Sequence, residues 1–335
     1  MSATILRLWW IGAVAAVLLA LPAIVRVGAP GMSNYLLNNY GIGSLVWVAF
    51  ALSYDLSVGH AGTVTLAHPA FFGIGAYTAA VLSTGTHAPF LAAVVVAVVL
   101  AGAAALVVGA LFFRLSDVFF AIGTLGVAFM ANIVAVNWQS VTKGALCITQ
   151  IPHPQGAADL TGRYYLILAI AAVTALVYVA LTRGRVGRAL AAVRGDEGLA
   201  QTFGANPFVY KMLAFVTGAM LAALVGVFQA HHISVVCPDT LGTFYTLNLL
   251  IIVFLGGVGT MRGVVLGAVL FTIIPELARF AQVLAQLVYG VVLLVVVLYA
   301  PDGVEGVLQR ALHRRRGPVS IWGRETAGDP AEPKT

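Results

Sequence analysis

Charge is scarce in this chain of 335 residues: Asp, Glu, Lys and Arg together make up 9% of it. Soluble domains carry about 25%. So few ions cannot cover the surface of a globule, which excludes a water-soluble enzyme. Disorder across the chain is excluded as well, because it needs low hydrophobicity. Lysine is rarer still. Lys143, Lys211 and Lys334 are the only three, none follows a glycine, and so no G-x-x-x-x-G-K-[ST] loop can cradle nucleotide phosphates. No H-E-x-x-H occurs. His231 and His232 are adjacent, so on a helix they project about 100° apart, a poor metal pair; they read instead as a pair at a membrane exit. No Ser or Cys sits in a nucleophile elbow. Neither enzymatic machinery nor a metal or cofactor is expected in this chain.

What the chain has is apolar length. Hydrophobic residues make up 61%, glycines number 36, and the mean hydropathy is +0.98. Ten apolar runs follow one another: 8–25, 35–58, 69–83, 90–113, 118–138, 164–182, 209–230, 241–257, 264–276 and 284–300. Runs of about 20 residues span the hydrocarbon, and shorter ones suit broken or re-entrant helices. The expectation is an all-α polytopic membrane protein with about 8–10 transmembrane helices, some interrupted. A permease-like domain over 1–312 precedes a Pro- and charge-rich, disordered tail over 313–335.

Basic residues set the orientation. Eleven of the 18 lie either in 183–211 or after Ala300, which places both stretches in the cytoplasm. Counting back from Arg183 puts Asn137–Arg163 outside and the N-terminus, with Arg7, inside. The first run has the basic flank of a signal peptide, but its 18 apolar residues are long for one, so retention is expected. Cys147 and Cys237 both fall outside, where an oxidising compartment permits a bridge. Two separate thiols are the commoner arrangement, and sequence does not supply the Cα separation a bridge needs.

The strongest local signal runs Gly59-His60-Ala61-Gly62-Thr63-Val64-Thr65-Leu66-Ala67-His68-Pro69-Ala70-Phe71-Phe72-Gly73-Ile74-Gly75-Ala76-Tyr77. Gly59 and Gly62 permit sharp turns. Pro69 suits the first turn of a new helix. Gly73 and Gly75 let a neighbouring helix approach closely. The pattern predicts an interrupted membrane element that opens a helix near Pro69. Thr63, Thr65, His60 and His68 cluster there, with Asp55 upstream. Polar groups at membrane depth line a translocation path or tie helices together. Both readings stand for Thr63, Thr65, His68, Phe71 and Phe72.

This segment resembles the LivM-type permease subunits of ATP-binding-cassette importers for branched-chain amino acids, which read roughly G-Y-A-G-Q-L-S-L-G-H-A-A-F-F-G-I-G-A-Y. Thr63 stands at the usual Gln, Thr65 at Ser, Ala67 at Gly and Pro69 at Ala. The resemblance continues through Arg114-Leu115 and Ala121 to Leu125, Gly187 to Leu190, Gly204 to Asn206, Leu255 to Thr260, Gly263 to Ala268 and Pro275-Glu276-Leu277. It covers about residues 35–312. One departure is the outer loop Thr142 to Pro152, which keeps one of the family's four glycines.

The resemblance implies a multi-pass subunit of the bacterial inner membrane. Its implied partners are a second, homologous permease, two cytoplasmic ATPases and an extracytoplasmic binding protein, with no nucleic acid. The implied cargo is a branched-chain amino acid. Urea, short amides and aromatic or other hydrophobic acids are alternatives within the family. An ion-coupled secondary transporter is the alternative from another class. It needs intramembrane carboxylates, and only Asp55 and Glu276 qualify; Glu276, beside Pro275, reads better as a helix end.

Residues 183–211 carry a further pattern. Val186, Ala189, Leu190 and Val193 repeat as one helix face, which Leu199, Ala200 and Phe203 resume before Gly204, a helix end. Asp196-Glu197 divide the two groups. Such a helix lies along lipid or inserts into a partner groove. The resemblance favours an ATPase groove, with Arg194 and Glu197 pairing across it and Ala200 and Gly204 kept small by it.

Overall fold

The computed structural model describes residues 18–26, 28, 31–154, 156–277 and 306, with residues 243 and 274–277 described by backbone alone. Helix α1 (Ser33–His60) contains two π-helical stretches, Leu37–Ile42 and Leu56–His60. After a non-helical break, α2 (His68–Gly85) opens with Pro69 in its first turn, as the sequence predicts. There follow α3 (Phe90–Phe112), α4 (Asp117–Asn137), the short α5 (Gln139–Thr142) and strand β1 (Ile148–Thr149). Then come α6 (Leu160–Arg183), α7 (Arg185–Gly195), α8 (Glu197–Thr202), α9 (Pro207–Ile233), β2 (Val235–Val236), α10 (Thr243–Gly256) and α11 (Met261–Leu277). Five helices among the described residues are long and apolar enough to cross a membrane: α1, α3, α4, α6 and α9. The chain is an all-α polytopic membrane protein. Of the ten expected runs, the first is described only from residue 18, and 284–300 lies outside the described residues, as does the tail.

On α3 burial is inverted relative to a helix of a soluble protein. Ala93, Ala97, Ala101 and Ala105 are buried, whereas Leu91, Val95, Val99, Leu106 and Leu111 are exposed. Small residues at a four-residue spacing let a neighbour approach, and the large apolar side chains face lipid. The neighbour is α9, whose Met220 lies beside Gly102. Deeper in, α9 meets α2 backbone to backbone. A Cβ at Gly75 would collide with the Ala223 carbonyl, and one at Gly226 with the Phe72 carbonyl. Helices α1, α2 and α9 form the centre, with α6 and α11 against α1.

The cysteines correct the expectation of two thiols: Cys147 and Cys237 form a disulfide with a Cα separation of 4.5 Å. Strands β1 and β2 pair antiparallel, Ile148 with Val236 and Thr149 with Val235. In that register Cys147 faces Cys237, at the close approach of a non-hydrogen-bonded pair. A second correction concerns the basic loop. Leu190, Val193 and Ala200 are buried, but Leu199 is 58% and Phe203 83% exposed. Asp196 is extended (φ −159°), which ends α7, and its carboxylate accepts from Leu199 N to cap α8. The interruption resets the helical phase, so one apolar face does not run through both helices.

Candidate functional site

The break between α1 and α2 is held by side chains from three helices and by its own Thr63. Tyr54 donates to the Thr65 carbonyl (2.9 Å). Thr63 bonds back to the Ser57 carbonyl through both its backbone nitrogen (3.0 Å) and its hydroxyl (3.3 Å). Leu66 N donates to Thr124 of α4 (3.0 Å), and Thr246 of α10 donates to the Leu66 carbonyl (3.4 Å). Irregular backbone at membrane depth needs partners from protein or from a wet cavity, and these bonds supply several of them. His68 is buried, with Nε2 2.9 Å from Ser53 Oγ. Ser53 gives its one hydroxyl hydrogen to the Phe50 carbonyl (2.6 Å), so Nε2 is the donor to Ser53. Nδ1 is then a bare acceptor, buried without a partner among the described residues.

One turn further along α1, toward the basic loop, lies a second constellation. Asp55 is 0% exposed. Its Oδ2 accepts from Tyr178 of α6 (2.6 Å) and its Oδ1 from the backbone nitrogen of Gly259 (2.8 Å), in the turn before α11. His60 stands 3.7 Å from the same carboxylate. A Cβ at Gly59 would collide with the Asp55 carboxylate, which explains the glycine there. Arg194, on α7, donates to the Gly59 carbonyl. The basic loop is thereby tied directly to the end of α1.

Aromatic rings fill the space on the other side of His68. Phe50 stacks over His68 (5.6 Å, 27°) and contacts Phe72 (4.7 Å). Beyond these two rings, toward the disulfide-bearing end, lies a cavity of about 370 Å³. Trp47, Phe50, Phe72 and Tyr245 form its apolar wall, and Asn38, Asn39, Gln229 and His232 supply polar groups.

Of the path residues read from sequence, only Phe72 reaches this cavity. Thr63, Thr65 and His68 gather at the break, and Phe71 packs against Phe215 (5.4 Å). Gly62 has φ +73° with Arg194 beside it, and Gly73 abuts Leu241. Glu197 pairs with Lys211, which also lies 3.6 Å from Asp117. Ala200 is buried, and Gly204 (φ +81°) ends α8 in open space. The left-handed conformation of Gly204 is the helix end that the sequence predicts. His231 is buried, 3.0 Å from Ser83 Oγ. The Glu276 side chain lies outside those described. Sequence reasoning missed Tyr178, Ser53, Asn38, Asn39 and Gln229. The Asn38-Asn39 pair inside an apolar run was the available signal.

Residues 36–297 match the family described as branched-chain amino acid transport system, permease component. The chain belongs to that family. The high-affinity branched-chain amino acid transport permease LivM of Escherichia coli K12 is 27% identical over 82% of this chain and 71% of its own length. BraD of Pseudomonas aeruginosa, named for the same transport, is 26% identical over 81% of this chain and 94% of its own. LivH of E. coli K12 is 25% identical over 80% and 94%. No solved structure matches at a significant level. Membership in a permease family sets aside the secondary transporter, and makes this a transport component and integral membrane protein.

Proposed function

We propose that this chain is one of two permease subunits of an ATP-driven importer in the bacterial inner membrane, moving a branched-chain amino acid or a similar small apolar solute. The chain lacks a nucleotide loop, so the energy comes from separate cytoplasmic ATPases. An extracytoplasmic binding protein delivers the solute to the disulfide-bearing end. On this reading the N- and C-termini and the stretch 183–211 face the cytoplasm. Residues 1–312 are the permease and 313–335 a cytoplasmic tail. The path runs by Phe72, His68, Thr65 and Thr63.

The observation that carries this reading is the bond from Arg194 to the Gly59 carbonyl. Arg194 belongs to a surface helix whose neighbours Leu199 and Phe203 stand exposed for a partner. Gly59 lies in the last turn of α1, next to the polar break. A push on the surface helix reaches the break through one side chain, which is what coupling to an external ATPase requires.

The test is reconstitution with two ATPases, a second permease and a binding protein from the same organism. Leucine uptake that depends on ATP and on the binding protein is the expected result. Uptake of urea alone would replace the cargo, and uptake without ATPases would overturn the class. His68→Ala should lower uptake while the complex stays assembled; equal loss of assembly would make His68 a structural tie only.

A further inference from the structure

Three residues of the outer loop between α5 and α6 hold backbone conformations that side chains disfavour. Lys143, Cys147 and Gln150 have φ of +61°, +58° and +61°. Cys147 also has ψ +160°, a combination essentially confined to glycine. This is the loop that keeps one of the family's four glycines. Strained backbone persists only where its surroundings over-determine it, and it gathers at clamps and switches. Here Ile148 and Ile151 are buried, β1 pairs with β2, and Cys147 is bonded to Cys237. A pair of two-residue strands is marginal alone. The disulfide is the one covalent tie, and it sits at the most strained residue.

Cys237 lies in the stretch 234–242, which joins α9 to α10. Ile233, at the end of α9, and Tyr245, in the first turn of α10, both line the cavity. Between them, Asn132 of α4 donates to the Pro238 carbonyl (2.8 Å), and Leu241 is buried against Gly73 of α2. The outer loop adds a bond from Ile151 N to the Ser234 carbonyl (3.3 Å). The disulfide therefore clamps a strained loop onto the strap between two cavity walls. Both cysteines are half-buried rather than enclosed.

We propose that the Cys147–Cys237 bond is a thiol–disulfide exchange site that sets the shape of the outer mouth, with a dithiol as co-reactant. The proposal rests on the importer reading for the compartment, which places this end outside the cytoplasm. One thiolate of the dithiol attacks a sulfur of the bond, the Sγ–Sγ bond breaks, and a mixed disulfide forms. The second thiolate attacks that mixed disulfide, and the dithiol closes to its own disulfide. Two electrons and two protons have then passed to the chain, and Cys147 and Cys237 are thiols. Cys147 leaves its glycine-like conformation, the backbone turns at Ile148, and the pairing with Val235 and Val236 loses its register. The strap is freed, and α9 and α10 no longer hold the mouth in one shape. A bond whose reduction releases backbone strain is of the labile, regulatory kind. Uptake thereby follows the redox state of the outer compartment.

The experiment uses the assembled complex in proteoliposomes with its ATPases and binding protein. It is compared as isolated, after dithiothreitol, and after reoxidation with oxidised glutathione. Leucine uptake and hydrogen exchange of 142–152 and 234–242 are both read. Reduction should cut uptake severalfold and speed exchange in both stretches while assembly holds, and reoxidation should reverse both. Cys147→Ser with Cys237→Ser should behave as the reduced parent throughout. Cys147→Gly with Cys237→Ser should keep the loop without the bond, because glycine accepts that backbone. Its uptake should stand well above that of the serine pair and ignore dithiothreitol. A bond that merely adds stability predicts the opposite order, since glycine leaves the unfolded chain freer than serine does. Equal uptake by the oxidised and reduced parent overturns the proposal, as does a glycine variant no better than the serine pair. If the oxidised parent moves no leucine at all, the importer reading fails by itself and exchange decides the site. Faster exchange on reduction then supports it, and unchanged exchange overturns it.

Discussion

Tyr178 and Asp55, 123 residues apart in sequence, meet at 2.6 Å between α6 and the π-helical end of α1. The other oxygen of the carboxylate holds the Gly259 nitrogen at 2.8 Å. One buried side chain thus fastens three elements at the basic end of the bundle. The hydroxyl and the amide take the place of the water that a carboxylate would otherwise demand.

Asp55→Leu should therefore cost more than Tyr178→Phe. The tyrosine variant loses one buried hydrogen bond, about 1–2 kcal/mol in a membrane protein. The leucine variant leaves both Tyr178 and Gly259 without an acceptor, at about 1–3 kcal/mol each. Thermal unfolding of the detergent-solubilised complex measures both. The reverse order, or no effect of Asp55→Leu, would remove Asp55 from its role as fastener.

The disulfide predicts a thiol count. The oxidised protein should take up no maleimide unless it is reduced first, and Cys147→Ser should expose one reactive thiol at Cys237. For a free chain closed over 90 residues the bond would be worth about 4–5 kcal/mol. The intervening spans stay inserted in lipid, so reduction should lower the melting temperature by less than that ceiling implies. Labelling of the unreduced parent would disprove the bridge.

Gly204 separates backbone strain from steric blockage. At φ +81° any L side chain is strained, and nothing lies within 4 Å of its Cβ position. Gly204→Ala and Gly204→Leu should both cost about 1–2 kcal/mol locally, with similar melting temperatures. If an ATPase closes over this end, only the leucine should uncouple ATP hydrolysis from uptake. Equal coupling in the two variants would place the partner elsewhere.

Arg194→Ala should leave insertion and assembly intact and lower the uptake obtained per ATP hydrolysed, because it removes the bond to the Gly59 carbonyl. Arg194→Lys, shorter and without the fork, should recover only part of it. An unchanged ratio in Arg194→Ala would break the proposed link between surface helix and break.

Much of this was legible from residues alone. Gly59, Gly62 and Pro69 announce the interruption and the restart at α2, because each changes what the backbone can do locally. The apolar runs announce the spans, because hydrocarbon thickness fixes their length. The phase of the basic loop was not legible: Asp196 has both a cap and a surface reading, and only its extended backbone decides between them. Nor was the cysteine bridge, which depends on a two-residue strand pairing across 90 residues. Tyr178 lies in an apolar run with no periodic mark, and its partner is chosen by how α6 packs on α1. The cavity is drawn from five helices, so no local window contains it.

The contact of Phe50 with Phe72 has a consequence for the cell's energy supply. On the proposed path, these two rings stand between the cavity and the histidine and threonines at the break. A proton or sodium ion entering from the disulfide-bearing end meets hydrocarbon there. On that path, an importer of this build would hold its mouth open to incoming solute without draining the membrane potential for as long as the two rings stay in contact.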